Sequence, residues 1–358
     1  MLINMIMNRT LFLNVVLSLS IVIAQPLYAQ DESQFEVVKM QKNATEAINR
    51  GDYNNAINYL SQAIRLAPSD VTLRRDLAYS YYLSGDLKKA SSIITEVVNT
   101  DAADEPTYQI AAAIEGALGN NSKAKKILNT GISKYPQSAL LYNNRGNIFA
   151  AEKKPKDAVS NWNKGIEVDP SFAANYYSLA KHYAADKPVW TLVYSEIFIN
   201  LESDTKRTAE IKALLFKTYA MFFQISDQSL PAFKNEKKKN GTTTSTDFDE
   251  MYTSIMNKTV GALTNGINTE SLIMLRTRFI LEWRLNYAGK TPFTLFTYQD
   301  KLLKEGLFDA YNQWLFGAVE NSSSYSIWLK NNSAIVGKME KWKQNNPLQP
   351  ASYDFIKI

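Results

Sequence analysis

The sequence predicts an all-α protein: a solenoid of stacked helical hairpins followed by a second helical domain. Three observations carry that expectation. A pattern of small residues, glycine and proline recurs every 34 residues from residue 37 to residue 172 with no insertion. Helix start and stop signals recur through the rest of the chain. No run of alternating apolar and polar residues is long enough to suggest a strand.

The period is read directly from aligned positions. Gly51-Asp52-Tyr53 becomes Gly85-Asp86-Leu87 and then Gly119-Asn120-Asn121. Ala56 becomes Ala90, Ala124 and Ala158, and Leu60 becomes Ile94, Leu128 and Trp162. Ala63 becomes Val97, Gly131 and Gly165, while Pro68 becomes Ala102, Pro136 and Pro170. Upstream, Ala44 becomes Ala78, Ala112, Gly146 and Ala180. The units are 37–70, 71–104, 105–138 and 139–172. Each is expected to be a pair of helices. Ala44 and Ala56 would sit where the two backbones approach most closely, and a larger side chain there would push them apart. Leu60 and Ile64 fill the space beside that contact. Gly51 tolerates positive φ at the turn. Pro68 ends the second helix because it has no N–H and clashes with the preceding turn.

These residues resemble the tetratricopeptide repeat, whose pattern has a small residue at its eighth position, Gly near the fifteenth, Ala at the twentieth and Pro at the thirty-second. The resemblance implies an α-solenoid that binds a protein or peptide segment. Unit four departs from it, with Lys153-Lys154-Pro155 where the other turns carry Gly, and a changed local turn is expected there. The solenoid is assigned to residues 37–200.

A degenerate fifth unit begins at Ala173. Its first helix keeps Leu179, Ala180 and Tyr183 in phase, but "KPVWTLVYSEIFINLE" lacks the alanine and the closing proline. A capping helix over 201–225 follows, with Asp204 as its expected N-cap. Residues 226–246, with Pro, Gly and a lysine run, read as a linker. From 247 to 358 the pattern is helical again, with four or five helices expected. Their start signals are Asp247, Thr269, Thr291 before Pro292 at the first helical position, and Ser323-Ser324; Gly289 and Gly306 mark ends. The runs "YSEIFINLE" and "RTAEI", the aromatic-rich second half and the Asn- and Lys-rich composition resemble repeat-bearing envelope proteins of Bacteroidota.

At the N-terminus, Arg9 precedes an apolar run from Leu11 to Ala24, and Leu27-Tyr28-Ala29 offers a small residue at a cut. Residues 1–29 therefore read as a signal peptide, cleaved after Ala29 or after Ala24. The expected location is periplasmic or secreted. No later segment is apolar enough to span a bilayer, so peripheral envelope association is the only membrane role expected of the mature chain.

Composition narrows the chemistry. The chain of 358 residues has no cysteine, one histidine and a net charge of +5. Disulfides, a cysteine nucleophile, thiolate metal sites and lipid attachment at an N-terminal Cys are excluded. The charge is too small to argue for nucleic acid. No nucleophile elbow, P-loop, dinucleotide fingerprint or zinc-protease motif occurs. His182 reads as structural. Asp247, Asp249 and Glu250 read as helix-start carboxylates, and Lys234 with lysines 237–239 as a solvated loop. No enzyme activity, cofactor or metal is implied.

Function is sought on the concave side, lined by the first helix of each unit. By phase, its positions are Gln41 and Thr45; Arg75, Tyr79 and Tyr82; Gln109 and Ala113; Asn143 and Asn147; Tyr177 and Lys181. Amides can bond an extended backbone and tyrosines supply rigid contact area. The stripe is expected to grip a partner segment. The alternative is a glycan-binding role for the tryptophan-rich second half, with Trp283, Trp314, Trp328 and Trp342, although Phe279 with Trp283 and Tyr311 with Trp314 have the spacing of core pairs.

Overall fold

The computed structural model describes residues 33–223, 247–259, 261, 263 and 266–355. The expected signal peptide and linker lie outside those residues. Among them every regular element is a helix. The repeat region comprises α1 (33–49), α2 (Tyr53–Leu66), α3 (Val71–Leu83), α4 (Leu87–Val98), α5 (Glu105–Ala117), α6 (Asn121–Lys134), α7 (Ala139–Ala151), α8 (Pro155–Val168), α9 (Ala173–Tyr183) and α10 (Pro188–Leu201). First helices start at Val71, Glu105, Ala139 and Ala173, and second helices at Tyr53, Leu87, Asn121 and Pro155, which is the 34-residue period expressed in backbone.

Local chemistry explains the boundaries. Asp52 and Asp86 accept from the backbone N–H of Asn55 and Lys89, capping α2 and α4. Where the cap position becomes Lys154 or Lys187, no side chain caps the helix and a proline follows at its first position. Proline at that position removes one of the first turn's unpaired N–H groups, and its fixed φ suits the helix start. The turn glycines Gly51, Gly85 and Gly119 have φ of 76°, 87° and 80°. Unit four does not change its turn as expected. Lys153 keeps the same left-handed geometry at φ 58°, despite the cost of about 1–2 kcal/mol that a side chain incurs there.

The chain divides into two compact units, Met1–Lys134 and Tyr135–Ile358. In the first, one cluster gathers Ala44, Ala47, Ala56, Leu60, Ala63 and Leu73, and a second gathers Ala78, Ala90, Ile94, Val97, Ala111 and Ile114. The periodic alanines are among the least exposed atoms of this unit, as the close-approach argument requires.

In the second unit one core runs without a break from Ala158 to Leu348. It takes in α8 to α10, α11 (Lys206–Phe223), α12 (Asp247–Thr259), α13 (Thr269–Asn286), α14 (Thr294–Lys304), α15 (Phe308–Glu320) and α17 (Ser333–Asn345), with α16 (Ser322–Asn331) at its edge. Among the described residues six α-helices follow residue 246 where four or five were expected, because only Asn332 separates α16 from α17. The loss of repeat register at α10 has a packing cause. Every residue from Val189 to Ile199 is buried, since α10 packs against α9, α11 and α12. A helix enclosed on all sides has no solvent face to keep polar.

Several expected caps move. Asp204 sits at φ 64°, and the Thr205 hydroxyl accepts from the Thr208 N–H in its place. Asn268 caps α13 through a capping box with Ser271, so Thr269 is the first helical residue. The helix expected at Pro292 starts at Thr294, after Phe293 turns into the core. Asn321 caps α16, two residues before the expected Ser323-Ser324.

Small positions tighten in unit four because a neighbour grows. Trp162 stands where the other units have Leu or Ile, and Gly146 stands where they have Ala. A Cβ on Gly146 would lie 2.5 Å from Trp162 Nε1 and 3.1 Å from the Ala158 carbonyl oxygen. We expect Gly146→Ala to destabilise the protein by about 1–3 kcal/mol through overpacking. A thermal melt that shows no decrease in midpoint would refute this packing account.

Candidate functional site

The groove positions behave differently in the two units. In Met1–Lys134, Arg75, Tyr79 and Tyr82 follow one another at i, i+4 and i+7 and so share a face of α3. The Tyr79 and Tyr82 rings stack with centroids 6.2 Å apart. Both are half-buried, and neither hydroxyl has a hydrogen-bond partner among the described residues. Gln109 is half-buried on α5, and Ala113 is exposed beside it. Arg75 is different. Its guanidinium donates to Asp76, at 2.8 Å, and to Asp104, the N-cap of α5, leaving its side chain 15% exposed. Gln41 also donates to Asp76, at 3.3 Å, and the Thr45 hydroxyl donates to the Gln41 carbonyl. Arg75 and Gln41 therefore brace α1, α3 and α5.

In Tyr135–Ile358 the expected amides are engaged within the fold. Asn143 is buried and donates to Asn175 Oδ1, 3.0 Å, and to Ser178 Oγ, 3.3 Å. Asn147 donates to Asn143 Oδ1, and its own Oδ1 accepts from Trp162 Nε1 at 3.1 Å and from Ser178 Oγ at 3.2 Å. Tyr177 and Lys181 both donate to Glu210 on α11, at 2.8 and 2.7 Å. Those bonds from Lys181 and then Tyr177 hold the Glu210 carboxyl below its ordinary range. Glu210 and Ser178 escaped the sequence reading. Glu210 lies 33 residues after Tyr177, one short of the repeat period, which falls on the buried Ile211, so phase alone does not reach it.

The other candidates resolve as structure. His182 is half-buried with its ring 5.6 Å from Trp162 and 5.0 Å from Tyr183, and burial lowers its pKa. Among the described residues no group of His, Asp or Glu could hold a metal. Trp283 is buried, while Trp314, Trp328 and Trp342 are half-buried against the core.

Two charged clusters stand out in the second unit. Glu196 Oε1, in the core, accepts from Arg276 at 2.6 Å, Gln299 at 2.5 Å and Tyr311 at 2.8 Å. Arg276 also lies over the rings of Phe316 and Phe308. The cavity beside this pair has a volume of about 10 Å³, room for one water at most. It is an internal strut. The second cluster is half-buried: Lys343 Nζ lies 3.0 Å and Lys212 Nζ 4.1 Å from the centroid of the Trp314 ring. Burial, with the Lys212 charge second, brings the Lys343 amine down to about 7, against opposing pulls from Asp204 and Glu340. Burial brings Lys212 down to about 8.

Comparison with known proteins finds similarity over part of the chain. Residues 47–114 match the family model of the tetratricopeptide repeat. No curated protein sequence matches. Solved structures with a similar arrangement include a thermophilic repeat protein from Thermus thermophilus, TTC0263, at 16% identity and a TM-score of 0.45, covering 50% of this chain and 98% of its own. PilF of Pseudomonas aeruginosa matches at 15% identity and 0.45, covering 53% and 86%. YrrB, described as having an unusual peptide-binding site, matches at 16% and 0.35, covering 51% and 95%. Over residues 47–114 the chain carries the tetratricopeptide repeat pattern. Such repeats are typically non-enzymatic modules that bind protein or peptide partners. Among the described residues no helix is long and apolar enough to cross a membrane.

The lysine pair generates a pH prediction. A lysine whose folded pKa lies below its unfolded value destabilises the fold fully below the folded pKa, and the penalty fades as pH rises toward the unfolded value. Lys343→Met removes that penalty along with a cation–π contact. Relative to wild type, its melting midpoint is expected to be higher by about 2–4 °C near pH 6 than near pH 9. A constant offset across that range would refute the depressed amine.

Proposed function

We propose that this chain is an exported, non-enzymatic binding module of the cell envelope that grips a partner segment on its groove-facing stripe. One observation carries the reading: the stacked Tyr79–Tyr82 pair sits on groove positions with its hydroxyls unpartnered among the described residues. Rigid rings with available polar tips are the side chains on which binding energy concentrates. Gln109 extends the same face as an amide donor and acceptor. Arg75 and Gln41 hold the helices that present these rings, and Asn143, Asn147, Tyr177 and Lys181 fix the corresponding face in the second unit. The export reading rests on residues 1–29, whose charge, apolar run and small-residue cut are those of a signal peptide. The composition and the quoted runs support the affinity with Bacteroidota envelope proteins. No observation favours the glycan-binding alternative, since Trp283 is core and the other three indoles of the second half pack against it.

The test is crosslinking in the native host followed by mass spectrometry. Tyr79→Ala with Tyr82→Ala is expected to abolish capture of the envelope partner while leaving helical content unchanged. Undiminished capture by the folded double variant would sink the proposal.

A further inference from the structure

Two amines share one indole in the unit Tyr135–Ile358. Lys343 on α17 holds its Nζ 3.0 Å from the Trp314 ring centroid, and Lys212 on α11 holds its own 4.1 Å from the same point. The two nitrogens therefore lie within about 7 Å of each other, closer than the screening length of physiological salt. Both side chains are half-buried, and among the described residues neither forms an ion pair with a carboxylate. Two like charges in a half-buried site oppose each other, so the pair is relieved when one amine gives up its proton.

The surroundings decide which one. Lys212 Nζ donates to the Trp314 carbonyl oxygen at 2.7 Å, an acceptor that favours the ammonium. Lys343 has ring faces in place of an oxygen: Trp314, and Tyr311 with its centroid at 5.9 Å. A ring holds an ammonium less firmly than a hydrogen bond to oxygen does. The other charged groups that act on Lys343 are Lys212 from α11, which opposes its charge, and Asp204 and Glu340, which favour it without pairing with it. Burial and the Lys212 charge prevail. The Lys343 amine falls to about 7 and that of Lys212, through burial, only to about 8, the order that the contacts require.

We propose that Lys343 is a modification site that adds carbon dioxide reversibly to form a carbamate. The Nζ lone pair makes the new N–C bond, one C=O π pair of carbon dioxide moves onto oxygen, and the nitrogen releases one proton to solvent. No oxidant, reductant or leaving group is needed. Charge favours the product, because a repelling pair of amines becomes a carbamate anion beside the Lys212 ammonium, and attraction is strengthened where water is partly excluded. The reagent suits the place: carbon dioxide is small and uncharged, so it reaches a half-buried amine between aromatic rings without the desolvation cost of an ion. Lys338 and Lys341, exposed on the same helix, have no such surroundings and serve as internal references.

The experiment equilibrates the full chain with isotope-labelled bicarbonate near neutral pH, traps carbamates with a trialkyloxonium salt and maps them by mass spectrometry. Trapped label at Lys343 is expected to exceed that at Lys338 or Lys341 by at least about tenfold, since an ordinary lysine is almost wholly an ammonium there. The excess is expected to vanish in denaturant and to fall several-fold in a folded Lys212→Met variant. Raising dissolved carbon dioxide at fixed pH and ionic strength is expected to raise the melting midpoint of the wild type but not of Lys343→Met, because a ligand bound only by the folded state stabilises it. Label at Lys343 no higher than at Lys338 and Lys341 overturns the proposal. So does label concentrated at Lys212, an excess that persists in denaturant, or a midpoint that responds equally in both proteins.

Discussion

The distance between paired helices is the constraint on which each unit of this structure depends. Two helices in a hairpin approach closely only where the facing side chains are small, and the positions of Ala56, Ala90, Ala124 and Ala158 recur with the period of the fold for that reason. All four are fully buried. The unit-four exchange shows how narrow the tolerance is. Trp162 occupies the place of a leucine, and Gly146 gives up the methyl group that its counterparts retain. At Gly165 the Asn175 amide leaves no room for a side chain, since its nitrogen would lie 2.3 Å from an added Cβ. Volume is conserved locally even as identity changes, which is how a close-packed interior behaves.

The second unit follows a different rule. Its core is organised around α10, which is enclosed and apolar along nearly its whole length, so the alternation of buried and exposed positions that defines a repeat disappears there. Such a helix still contributes one charge. Glu196 is matched by Arg276, Gln299 and Tyr311 from three other helices, and the arrangement ties α10, α13, α14 and α15 together. Removing Arg276 or Glu196 alone would leave an uncompensated charge in the core, a loss of about 3–5 kcal/mol, whereas an apolar replacement of the whole set need not destabilise the fold. The cluster therefore fixes which helices meet more than it adds to stability.

Polar residues of the stripe assigned by phase serve two demands. Arg75, Gln41, Asn143 and Asn147 make hydrogen bonds between helices of their own unit, and Tyr177 with Lys181 anchors α11 through Glu210. A side chain held this way presents a fixed surface but has fewer free donors. Tyr79, Tyr82 and Gln109 are the positions of the stripe that combine accessibility with unspent contact area.

Much of the architecture was legible because its causes are local and periodic. The spacing of Ala56, Gly51 and Pro68 depends on backbone approach, turn geometry and chain termination, each acting within one hairpin. The helices and their 34-residue register could therefore be read from the chain alone. The same reading assigned the stripe, since phase places a residue on a face. Phase does not say what the residue touches. That Arg75 bonds Asp104, that Tyr177 bonds Glu210, and that Lys153 holds the turn of a glycine follow from contacts or backbone geometry decided between elements. The caps at Asn268, Thr205 and Asn321 moved for a related reason: neighbouring packing chose among adjacent polar residues of similar propensity. The single core from Ala158 to Leu348 was the least readable feature, because a helix buried on every side carries no period and its partners are chosen by tertiary packing.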